Sequence, residues 1–112
     1  MKKIITLIIL ITFVMMSIST QVDAASKRER SVKFGQKIFK KKFRKYCRFS
    51  GVRFARKHTQ DEWEEIWDEK LFIKEAKKIC PRLNLRRIKR SWWKHVYRFM
   101  YEYGEGSTIP AC

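Results

Sequence analysis

Five of the six residues from Lys40 to Lys45 are cationic, and the sixth, Phe43, is aromatic. Like charges one turn apart weaken an isolated helix. A helix here therefore needs its apolar side docked against the rest of the chain. The spacing supplies such a side. Ile38, Phe39, Phe43, Tyr46 and Cys47 follow at steps of one, four, three and one, which puts them on one stripe of a predicted helix from Val32 to Phe49. Lys33, Lys37, Lys40, Lys41, Lys42, Arg44, Lys45 and Arg48 fall on the other faces.

The N-terminus has the three-part layout of a secretory signal. Met1-Lys2-Lys3 is positive, Ile4 to Met16 is apolar apart from Thr6 and Thr12, and Ser17 to Ala24 is polar with small residues. The apolar run is shorter than the roughly 20 residues a spanning helix needs. Cleavage after Ala24 is expected, with residues 1–24 as signal peptide, 25–31 as a flexible basic leader and 32–112 as one helical domain. The mature chain would hold 25 Lys and Arg against 10 Asp and Glu. At this length a single modest core is expected, in the range where crosslinks become useful. All four Trp and all four Tyr lie in the mature part, a composition that argues for a folded chain. Export implies an oxidising compartment, periplasmic or extracellular. Cys47, Cys80 and Cys112 then supply one disulfide and one spare thiol, with three pairings open.

Ser50-Gly51 is expected to end the first helix, because glycine suits the left-handed turn of a helix terminus. Val52 to His58 is short and basic, with Phe54 and Ala55 as inward contacts. Thr59-Gln60-Asp61-Glu62 has the form of a capping box, and the acids that follow favour a helix N-terminus. Trp63, Ile66, Trp67, Leu71, Phe72, Ala76 and Ile79 form the apolar face of the second helix. The period slips at Asp68-Glu69-Lys70, where a kink or break is predicted. A last helix over Ser91–Tyr103 carries Trp92, Val96, Phe99, Met100 and Tyr103 on one stripe, with Trp93, Tyr97 and Tyr101 beside it. The fold class is all-α: a small bundle of three to four short helices with at least one disulfide. An up-down-up course favours Cys47–Cys112, whereas a break at Asp68 would permit Cys47–Cys80.

Catalytic and metal chemistry find little support in the residues. His58 and His95 stand in different elements with no close cysteine. His58 reads as a surface or packing residue and His95 as a partly buried spacer. The carboxylates Asp61, Glu62, Glu64, Glu65, Asp68 and Glu69 share one helix, whereas an acid/base pair must converge from different elements. No enzyme activity, metal or cofactor is expected. The dominant signal is cationic: Lys40, Lys41, Lys42, Arg44, Lys45, Arg53, Arg56 and Lys57 are the candidate contacts for an anionic partner. Outside the cytoplasm that partner would be an acidic protein, a lipid headgroup or an envelope polymer rather than a specific nucleic acid. A cationic membrane-active factor is the further alternative, with the first helix lying on an anionic bilayer.

The stretch Gly35-Gln36-Lys37-Ile38-Phe39 through Tyr46-Cys47-Arg48, followed by Gly51, Phe54, Ala55 and His58-Thr59-Gln60-Asp61-Glu62-Trp63, resembles small exported proteins of epsilon-class proteobacteria. These are similar in turn to class I cytochromes c. Gly35, Phe39, Cys47 and the aromatic helix from Trp92 match that frame. The resemblance implies a cytochrome-like helical scaffold that has lost its haem, with its last helix packed across the first; the competing alternative is electron transfer through a haem held without the standard attachment. The attachment motif itself departs. Phe43 stands at the first thiol position, and Arg48 stands where the histidine after the second thiol would be.

Overall fold

The structure, a computed structural model, describes residues 24–108. The apolar part of the signal sequence and Cys112 lie outside the described residues. Two compact units divide the chain, residues 1–30 and 31–112. In the first, residues 24–30, which include most of the expected flexible leader, are helical and exposed. The second unit holds five helices among the described residues: α1 (31–47), α2 (Gly51–Ala55), α3 (Gln60–Asp68), α4 (Phe72–Ile79) and α5 (Trp93–Glu102). Two 3₁₀ turns, Leu85–Arg87 and Arg90–Trp92, lie between α4 and α5. No strand occurs among the described residues.

Ile38, Phe39 and Phe43 of the α1 stripe are buried as the spacing predicts and Tyr46 and Cys47 are half-buried, with one local change of winding. Phe39, Phe43 and Cys47 recur at steps of four, and each such step drifts by about 40° on a 3.6-residue helix. Phe39–Phe43 forms a π turn, whose wider winding takes up part of that drift. Phe39 and Phe43 then stack at 5.1 Å and are fully buried, while Lys40 and Lys41 stay outside.

Aromatic rings make most of the core. Phe54 lies parallel to Trp63 at 6.2 Å, Phe43 meets Trp93 edge-on at 5.8 Å, and Phe72 touches both Trp63 and Trp93. Burial of each such side chain contributes about 1.5–3 kcal/mol. The indole N–H of Trp63 donates to the Ala55 carbonyl at 2.7 Å, so the largest buried ring leaves no polar atom unmatched.

The capping box forms. Thr59 Oγ1 accepts from the Glu62 N–H, and Glu62 Oε1 accepts from the Thr59 N–H. The break after Asp68 also forms, as a Schellman motif. The Lys70 N–H donates to the Trp67 carbonyl and the Leu71 N–H to the Ile66 carbonyl, with Lys70 at φ 61°. The second predicted helix is thus two, α3 and α4.

That break decides the disulfide. Cys47 pairs with Cys80, with Cα atoms 5.2 Å apart, which overturns the expected Cys47–Cys112 pairing. Once the chain turns at Lys70, α4 carries Cys80 to the end of α1. The tail after α5 goes elsewhere: the Glu105 N–H donates to the His58 carbonyl at 2.9 Å, and Thr59 and Glu105 form a parallel bridge.

Gly51 also departs from expectation. The residue that ends α1 in the left-handed region is Arg48, at φ 61°, and Ser50 caps α2 by accepting from the Arg53 N–H. Gly51 is required for closeness instead. A Cβ there would lie 2.5 Å from Phe99 Cε1. A Cβ on Gly35 would collide with the His95 carbonyl and Phe99 Cβ. These two glycines let α5 pack against α1 and the start of α2.

Two measurements check this packing. Gly51→Ala should lower stability by about 1–3 kcal/mol in urea unfolding, the usual cost of overpacking. Replacing both Cys47 and Cys80 by Ser should cost about 3–4 kcal/mol by chain entropy, given their separation of 33 residues.

Candidate anionic-partner surface

Charge is segregated along the chain. Residues 31–60 contain eleven Lys and Arg and no Asp or Glu. Residues 76–101 contain nine Lys and Arg and again no Asp or Glu. All the carboxylates of the second unit fall in residues 61–75 and 102–105.

The structure brings these two acid-free segments side by side. The connector from Cys80 to Trp92 starts at the C-terminal end of α1, where Cys80 is bonded to Cys47. It finishes near the N-terminal part of α1, where Trp92 meets the Phe34 ring edge-on at 6.3 Å. It therefore runs antiparallel along about 20 Å of α1. Leu83 and Ile88 hold it by being buried. Lys77 Nζ donates to the Leu83 carbonyl at 2.7 Å, and Asn84 Oδ1 accepts from the Arg86 N–H. Arg82, Arg86, Arg87 and Lys89 remain exposed. They extend the same cationic surface. Pro81 to Lys89 reads from the sequence as a basic connector, but nothing local in it joins Arg82, Arg86, Arg87 and Lys89 to the candidate contacts on α1 and α2.

The residues expected from the sequence divide by position. Lys40 and Arg44 line a cleft of about 290 Å³ between α1 and the start of α2, with Ser50, Val52 and Tyr103. Lys41 and Lys45 are exposed on α1, whereas Lys42 is half-buried. Lys45 Nζ lies 5.1 Å from the Tyr46 ring centre, and the Arg53 guanidinium lies 5.9 Å from that of Phe49. Arg48 and Arg82 line a second cleft around the disulfide. Arg56 and Lys57 are exposed beyond the end of α2, next to the acidic start of α3.

A bridged acidic cluster stands at that boundary. His58 Nδ1 lies 3.0 Å from Glu62 Oε2, and Nε2 lies 2.8 Å from Glu75 Oε1. Its ring also packs edge-on against Trp63 at 4.8 Å. Partial burial pulls the His58 pKa down, but the hydrogen bonds and charges of Glu62 and Glu75 outweigh it, and the net direction is up. His58, read from the sequence as a surface or packing residue, also ties α3 to α4. His95 is half-buried, 2.8 Å from Ser31 Oγ through Nδ1; burial and then the charge of Lys94 move its pKa down.

The haem of the electron-transfer alternative does not fit these residues. Cys47 is committed to Cys80, and the next residue is Arg48 in a left-handed turn. Phe43 and Met100 are fully buried. Rings of α1, α2, α3 and α5 fill the interior between them. Among the described residues, no group of three or more His, Cys, Asp or Glu side chains could hold a metal ion, and no helix is long and apolar enough to cross a membrane. No protein-family model, curated protein or solved structure matches the chain.

The His58 bridge predicts a pH dependence. A raised folded pKa gives stability that is complete below the unfolded value near 6.5 and is lost as pH rises through the folded value. The urea midpoint should fall over that window, and His58→Gln should flatten this part of the profile.

Proposed function

We propose that the protein is exported and acts as a non-enzymatic binding protein, holding an anionic partner on the surface made by α1, the start of α2 and the Cys80–Trp92 connector. The observation that carries this reading is the juxtaposition of two cationic segments with no carboxylate in either. Placing like charges together on a folded surface opposes folding, and a bound polyanion relieves that repulsion. The disulfide supports an oxidising location.

The chemistry favours docking over insertion. The apolar side of α1 (Ile38, Phe39 and Phe43) is buried in the core and is not available to enter a bilayer. The exposed side offers lysines as point charges, and the connector adds arginines, whose planar forks match phosphate, sulfate and carboxylate groups. Headgroups or a charged envelope polymer meet that surface equally well by charge. Each cation acts by attraction and none transfers a group.

Binding to dextran sulfate, and to vesicles rich in phosphatidylglycerol, should collapse between ~0.01 and ~1 M salt, as the screening length falls from about 30 to about 3 Å. Vesicle contents should not leak. Replacing Arg82, Arg86 and Arg87 by Gln should weaken binding and flatten its salt dependence about as much as replacing Lys40, Lys41 and Lys45. Binding that ignores salt, or ignores the connector substitutions, contradicts the proposal.

A further inference from the structure

A cleft of about 440 Å³ opens where α3, α4 and the start of α5 meet. This volume lies in the range of small-molecule sites. Its apolar lining is Trp67, Phe72, Ile73 and Trp93. The lining is held rigidly. Trp67 lies parallel to Tyr97 at 4.6 Å, so one of its faces is covered. Phe72 is pinned edge-on by Trp67, Trp93 and Tyr97. The remaining lining residues are Asp68, Lys70 and Arg90, all exposed.

Three features point to a ligand. Only three large apolar side chains are prominently exposed among the described residues, and two of them, Leu71 and Ile73, stand at this cleft or beside it. Lys70 occupies the left-handed position of the Schellman motif, where glycine is the usual residue. That turn sets Lys70 among the residues that line the cleft. Two cations and one carboxylate on the lining leave one positive charge to be balanced.

We propose that this cleft binds a single-chain amphiphile with a monoanionic head, the tail against Trp67, Phe72, Ile73 and Trp93 and the head between Lys70 and Arg90. Such a ligand covers the exposed apolar surface and balances the lining charge, whereas a cationic amphiphile satisfies only the first condition. The site lies away from the exposed cations of α1, shares only Arg90 with the connector and does not depend on the polyanion reading.

The test uses the oxidised full chain and two amphiphiles of equal tail length, decanoate and decyltrimethylammonium, both below micelle-forming concentrations. Tryptophan fluorescence reports binding. Decanoate should bind saturably and about tenfold or more tighter than the cation, the scale of one charge-assisted contact. Lys70→Gln with Arg90→Gln should remove that preference, and Ile73→Ser, at an exposed position, should weaken both ligands. Lys41→Gln with Lys45→Gln should leave decanoate binding within about twofold. Equal binding of the two amphiphiles, no saturable binding, or equal loss in the α1 variant would overturn the proposal.

Discussion

An acid-free cationic helix is stable here because its opposite side is locked into an aromatic interior. Seven Lys and Arg lie between residues 37 and 48, a segment with no Asp or Glu. What offsets their repulsion is the burial of Ile38, Phe39 and Phe43 against α2 and α5, made possible by the bare backbone of Gly35 and Gly51. The surface charge and the core are therefore coupled. Loosening the packing of α5 on α1 removes the support that keeps the cations in place.

The polar residues separate into two regimes. Around His58 the carboxylates of α3 and α4 are met by a ring that bridges them. Along α1 and the connector no carboxylate is at hand within the segment. A chain with its acids mixed evenly among its cations would gain many weak surface pairs. This one concentrates its acids in residues 61–75 and 102–105 and leaves the remainder of the folded unit positive. Such a distribution gives the folded unit a directional field rather than an evenly charged coat.

Much of the fold was legible because the relevant interactions are local. The Thr59–Glu62 box, the slip at Asp68 and the stripes of α1 and α5 all follow from residues within a few positions of one another. Other features depend on where distant segments meet. Gly51 looked like a helix terminus, but its lack of a side chain serves Phe99, forty-eight residues away. The disulfide turned on whether Lys70 would enter the left-handed region, which a lysine does at some cost. Of the cationic residues expected to act together, Lys40, Lys41, Arg44 and Lys45 lie along one helix, while Lys42 is half-buried. The connector's basic character is plain in the sequence, but its place beside α1 is not, because that depends on Cys80 and Trp92 meeting opposite ends of α1. The aromatic cleft likewise needs three helices in place before its lining exists.

Joining Cys47 to Cys80 also sets when the cationic surface comes into being. In a reducing cytoplasm nothing covalent fastens the connector's first residue to the end of α1, and the adjoining arginines and lysines push the two segments apart. Oxidation closes that seam. Under the export proposed above, the paired rows of charge would be joined only after the chain has left the nucleic acids and other polyanions of the cytoplasm.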